Sequence, residues 1–253
     1  MLARKRPSFA VQLFDLTLIQ LANWRWAWRS TLLSGIIAPL FTLIALGIFA
    51  RDAGSETLTY ILTGNVVLSL MFENLDRVSS NFAFMKAMGT LNYFATLPVS
   101  RYAVVLATLV AFFLLSLPAT LTTIFFGSWY LAVPLNVSPL ILLVMPLIAL
   151  PLASLGALIG TMARSPMEAG PITSVIVLIL AGLGPVIFPP SRLPEFMVQI
   201  GRLSPATYAA SALRQTLIGP VTWQLAIDLV ALILLALIMG WLVNRKMNWH
   251  QYQ

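Results

Sequence analysis

Residues 140–150 read Leu-Ile-Leu-Leu-Val-Met-Pro-Leu-Ile-Ala-Leu. Wound as a helix or laid flat as a strand, this run is apolar on every face. A membrane-barrel strand is about ten residues long and alternates polar with apolar. Residues 229–238, Leu-Val-Ala-Leu-Ile-Leu-Leu-Ala-Leu-Ile, show the same lack of alternation. Both runs therefore read as helices in apolar surroundings. A helix crossing a bilayer needs roughly 20 mostly apolar residues, and the first run reaches that length over residues 139–163.

Five further stretches read as spans: residues 31–50, 57–72, 102–126, 169–188 and 221–243. The second is short and stops at Glu73; the last is interrupted by Asp228. Pro118, Pro146, Pro151 and Pro185 fall inside spans, where neighbours satisfy the carbonyls they free, and they read as ordinary kinks. Composition agrees. Of the 253 residues 59% are hydrophobic and 9% charged, against about 25% charged in a soluble domain. A soluble fold of this length would lack the polar surface to cover its core, and lipid removes that requirement. The expected fold is all-α: one polytopic transmembrane domain over residues 1–253 with six transmembrane helices.

The net charge of +7 comes from residues set between apolar runs. It reads as membrane orientation, because no basic patch with interleaved aromatics suggests nucleic acid. With both termini cytoplasmic, eleven of the 15 Lys and Arg fall inside and four outside, namely Arg51, Arg192, Arg202 and Arg214. An even number of spans and this bias agree. The chain contains no cysteine, so disulfides and thiolate metal sites are excluded. Its one histidine, His250, lies in the tail, without the partners a nucleophilic triad requires. No catalytic or metal residue is expected. Arg4, Lys5 and Arg6 precede no short apolar core of the signal-peptide kind.

Residues 8–29 precede the first span. Phe9, Leu13, Leu16, Ile19 and Leu21 form an apolar stripe near helical spacing, and Trp24, Trp26 and Trp28 alternate with Arg25 and Arg29. Trp and Arg favour the headgroup level, so an amphipathic interfacial helix is expected there.

Two connections are too long to be turns: residues 73–101 inside and 189–220 outside. The inner one reads Phe-Met-Lys-Ala-Met-Gly-Thr-Leu-Asn-Tyr-Phe-Ala-Thr-Leu-Pro-Val-Ser-Arg over 84–101. Met85, Met88, Leu91 and Phe94 recur at helical spacing, which predicts a short amphipathic helix. Pro98 stops it, and Ser100 caps the helix that follows. Its apolar face packs on the membrane or on a partner protein.

Residues 89–101 resemble the cytoplasmic motif of type-2 ABC exporter permeases, often Gly-Thr-x-Glu…Thr-Pro-Val-Ser-Arg. Here Asn92 stands where Glu is expected, and Leu97 separates Thr96 from Pro98. The outer connection is similar to the same family's segment before its last span. It carries Pro189, Pro190 and Pro194, then Ser204-Pro205-Ala206-Thr207-Tyr208 and Arg214. The resemblance extends over nearly the whole chain. It implies a coupling helix resting on an ATPase subunit, carried by Met85, Met88, Gly89, Leu91, Asn92, Phe94, Pro98 and Arg101. It implies two short outer helices that re-enter the leaflet, and a homodimer joined by two ATPase subunits in the inner (plasma) membrane. No phosphate loop occurs in this chain, so ATP and Mg belong to the partner and no cofactor is expected here. An amphiphilic substrate is expected, a drug, a lipid or a lipid-linked molecule, because the spans offer few polar groups.

Isolated ionisable residues remain. Asp228 sits seven residues inside the last span, roughly 11 Å deep at 1.5 Å per residue. It pairs with Arg214 or faces an aqueous cavity. Glu73, Asp76 and Arg77 read as a solvated helix end with a local ion pair. Asp228, Arg214 and Glu73 are thus candidates for a substrate path or for structural pairs. Two other classes compete with a transporter: a membrane assembly protein, and an intramembrane enzyme, which would need paired catalytic groups at one depth.

Overall fold

A computed structural model describes residues 8–23, 28–50 and 54–247. Arg4, Lys5, Arg6, Trp24, Arg25, Trp26, Arg51 and His250, and the side chains of residues 28–34, lie outside the described set. The described residues form α-helices and no strand: α1 (Phe9–Asn23), α2 (Trp28–Phe49), α3 (Ser55–Leu70), α4 (Arg77–Ala87), α5 (Thr90–Thr96), α6 (Arg101–Leu131), α7 (Ile141–Met162), α8 (Pro166–Gly182), α9 (Glu195–Gly201), α10 (Pro205–Leu217) and α11 (Trp223–Lys246). A π-helical segment, Met71–Asp76, joins α3 to α4.

Among the described residues, four helices are long and apolar enough to cross a membrane: Ser55–Ala87, α6, α7 and α11. Gly35–Phe49 within α2 and the 17-residue α8 are shorter apolar helices. Apolar side chains also cover the outside. Ile227, Val230, Leu234, Leu237 and Trp241 of α11 are exposed, as are Phe41 and Phe49 of α2 and Val175 and Leu178 of α8. In water such a surface would aggregate; against lipid it is the correct solvent-facing surface.

The second span is longer than its hydropathy suggests. Instead of ending at Phe72, the helix runs through Glu73, Asp76 and Arg77 to Ala87, 33 residues in all. The π segment admits these polar residues without breaking the backbone ladder. Glu73 and Asn74 are 3% and 0% exposed, so this is no solvated helix end. The fifth span departs in the opposite sense. Helix α8 stops at Gly182, and the chain bends through Gly184, with φ 142°, and Pro185. Pro185 is therefore not a helix kink, unlike Pro118, Pro146 and Pro151.

Helix α1 packs chiefly on α6, through a face that includes Leu13 and Leu16 of the apolar stripe but also several polar residues. Gln12, Leu16, Thr17 and Gln20 are buried, while Phe9 and Ile19 are exposed. Only Leu16 of the stripe is fully buried. Where the surroundings are lipid, apolar atoms gain nothing by turning inward, and polar side chains turn to the protein for partners.

The core is built around α7, which packs on α11, on α4 and the π segment, and on α10. Gly156 and Gly160 lie against the backbone at Leu75 and at Ser79. This small-residue repeat brings the two helices together more closely than larger side chains permit.

Candidate functional site

Ionisable and amide side chains line one stretch of the α3–α4 helix. Arg77 Nη2 lies 2.8 Å from Glu73 Oε1, one helical turn away. The expected local ion pair is present, but it is buried. Gly35 of α2 faces Glu73 so closely that a Cβ there would collide with the carboxylate. Asn74 Nδ2 donates to Leu70 O at 3.1 Å and to Ser116 Oγ at 3.3 Å. Asn65 Nδ2 donates to Pro39 O at 2.9 Å, tying α3 to α2. A cavity of about 230 Å³ lies between α2 and this helix, lined among others by Ser69, Glu73, Asp76 and Arg77. A second, of about 640 Å³, shares Asp76 and Arg77 and opens toward Gln20, Asn81, Phe84 and Phe94.

Below this band the chain turns. Gly89 adopts φ 72°, the left-handed conformation that glycine enters without strain. The expected continuous stripe is therefore divided between the end of α4 and α5. Met85, Leu91 and Phe94 are buried, at 5%, 7% and 8% exposure, in a cluster with Leu16, Phe82 and Val104 of the same chain. Met88 is 64% exposed and Tyr93 62%. Asn92 and Thr96 also face outward, and Pro98 is half-buried. Leu97 is extended before Pro98, and Ser100 Oγ accepts from Ala103 N at 3.1 Å, as the sequence predicts.

Polar contacts fasten this end to the body. Lys86 Nζ donates to Thr161 O and Ala163 O, both at 2.9 Å, where α7 ends. Ser100 N donates to Gln12 Oε1 at 2.9 Å, and Gln20 Nε2 donates to Thr108 Oγ1 at 3.0 Å. Arg101 Nη1 donates to Asn244 O of α11 at 3.3 Å.

At the opposite end, Asp228 is bonded to amides and forms no ion pair with Arg214, one of the two arrangements the sequence left open. Asp228, 1% exposed, accepts from Gln224 Nε2 at 3.0 Å and Gln215 Nε2 at 3.2 Å. Gln215 Oε1 in turn accepts from Thr222 N at 3.1 Å, which staples the α10–α11 turn. Arg214 lies over the Tyr60 ring at 3.9 Å and donates to Pro185 O at 3.3 Å and Val186 O at 3.4 Å. It holds the bent segment after α8 against α3.

The family model for ABC-2 type transporter matches residues 12–218, from the buried face of α1 through α10. The chain belongs to the ABC-2 type transporter family. No curated protein matches it. The matched segment contains the polar band, α5 and the outer helices, so these are features of an ABC-2 permease subunit, a transmembrane transport component that is not itself catalytic. Family membership implies association with an ABC ATPase. Among the described residues of the permease, no group of three His, Asp or Glu side chains comes together to hold a metal.

Sequence reading did not find the Gly156–Gly160 contact, Lys86 or the Gln12 and Gln20 ties. The four-residue glycine spacing on an apolar helix was an available signal. The other contacts span 75 residues or more in sequence, and no local pattern announces them.

Proposed function

We propose that this chain is the membrane-spanning half of an ATP-driven exporter, working as two copies with two ATPase subunits and moving an amphiphile. Both termini lie on the cytoplasmic side, six helices span the inner membrane, α1 lies at the interface and α9 and α10 re-enter the outer leaflet. The observation that carries the reading is the two-sided form of α5. One side, Leu91, Phe94 and Ala95, is buried in the chain's own core; the other, Asn92, Tyr93 and Thr96, is presented outward beside Met88.

A coupling element needs both properties. It must be fixed to the spans to pass on a displacement, and it must offer a free face to the subunit that moves. Lys86, Gln12 and Arg101 supply the attachment to α7, α1 and α11. ATP-driven closure of the partner then shifts the helices between two packed arrangements. The coupling residues divide accordingly. Met88, Asn92 and Tyr93 touch the ATPase, Met85, Leu91 and Phe94 anchor the element, and Gly89, Pro98 and Arg101 set its ends. Co-purification of the tagged chain with an ATPase subunit, and its loss in Tyr93→Ala and Met88→Ala together, tests this. Full retention of the complex in the double variant refutes it.

A further inference from the structure

We propose that the cavity between α2 and the α3–α4 helix binds the cationic head of an amphiphile, seating an ammonium or guanidinium against Asp76, with Ser69 a second acceptor in the same cavity. The proposal rests on the permease reading and narrows its substrate to one charge class. Ser69, Glu73 and Asp76 follow one another at four and three residues, and all three line the 230 Å³ cavity. The described side chains lining it include two carboxylates and one guanidinium. Arg77 is engaged by Glu73 at 2.8 Å. Asp76 Oδ1 is buried with no hydrogen-bond partner. Ser69 is 0% exposed, and its Oγ has no partner either. Among the described residues the cavity thus holds two unmatched acceptors, a carboxylate oxygen and a hydroxyl, which are costly to leave unpaired in a membrane interior. A cation bearing N–H donors supplies the charge-assisted bond that Asp76 Oδ1 lacks, and Ser69, about two helical turns away, offers a second acceptor in the same cavity.

The shape points to a head group rather than a whole substrate. Drug-sized ligands occupy about 300–1,000 Å³, more than this cavity offers. Phe72 lines it and is 43% exposed. An alkyl or aryl tail therefore lies along Phe72 while the head enters between the helices. Asp76 also faces the 640 Å³ cavity, where Asn81 Oδ1 is a further buried acceptor without a partner. The two cavities form consecutive stations for the same head group, with Asp76 common to both.

The test uses the full chain in neutral phosphatidylcholine nanodiscs, with radiolabelled octylammonium as the probe and empty discs subtracted. Saturable binding is expected, and octyl sulfate should not displace it. Asp76→Asn should weaken binding about tenfold, the effect of losing a charge-assisted bond. Ser69→Ala, which removes one oxygen, should weaken it about threefold. Glu195→Gln, on exposed α9, should leave it unchanged. Absence of saturable binding, equal binding of octyl sulfate, or undiminished binding by both site variants overturns the proposal. Each variant is also tested for ATPase co-purification. Loss of octylammonium binding with the complex intact removes the cation site alone. Asp76-dependent binding by a chain that takes no ATPase partner removes the exporter reading and leaves the site.

Discussion

Gly160 of α7 packs directly on the backbone carbonyl of Ser79 on α4, and one turn earlier Gly156 does the same to Leu75. A Cβ at either glycine would overlap main-chain atoms, which cannot rotate away as a side chain would. The polar band occupies the helix that these contacts hold in place.

Gly160→Ala and Gly156→Ala should each therefore destabilise the chain by about 1–3 kcal/mol, the usual cost of overpacking. Gly240 of α11 is the control, since a Cβ there meets nothing within 4 Å. Gly240→Ala should be neutral or stabilising by up to about 1 kcal/mol through helix propensity. Thermal unfolding in one detergent compares the three; equal behaviour would remove the close-packing account.

Lys86 bonds two carbonyls at the C-terminal end of α7. Lys86→Met keeps the stem and removes the donors. The expected loss is about 1–3 kcal/mol, that of charged hydrogen bonds left unmade. If the contact also transmits movement, the ATPase should remain bound while hydrolysis proceeds without transport. Lys86→Arg should restore part of both. Wild-type stability and transport in Lys86→Met would show that the contact has no role.

Adjacent residues of α5 should respond in opposite ways. Phe94 is 8% exposed in the α1–α4–α6 cluster, so Phe94→Ala should destabilise the chain by about 3–5 kcal/mol and lower expression. Tyr93 is 62% exposed. Tyr93→Ala should leave unfolding unchanged and weaken ATPase co-purification. A destabilised Tyr93→Ala with a stable Phe94→Ala would reverse the assignment of faces.

Topology is open to direct measurement because the chain has no cysteine of its own. Cysteines at Ser8, before α1, and at Ser191, between α8 and α9, should differ in intact cells. Only the one at 191 should react with a membrane-impermeant reagent. Labelling at Ser8 alone would invert the orientation derived from the Lys and Arg bias.

Local chemistry is what the sequence determined by itself. Runs such as residues 140–150 need an apolar solvent wherever they lie, which settled the helical membrane class. Pro98 and Ser100 act on their immediate neighbours, so the end of α5 and the start of α6 were legible. The charge at Glu73 was legible too, but not its surroundings. A hydropathy run stops at the first carboxylate, whereas the helix continues because Arg77, one turn on, pairs with it. Which residues of α1 joined Leu13 and Leu16 on the buried face belonged to the tertiary structure. In water, burial of apolar area tells inside from outside; in lipid both faces of a helix meet apolar matter, and that signal vanishes. Gln12 and Gln20 are therefore buried while Phe9 and Ile19 face out. Asp228 likewise took Gln215 and Gln224 in place of Arg214, because the fold brought amides within 3.2 Å and gave the guanidinium the Tyr60 ring and two carbonyls.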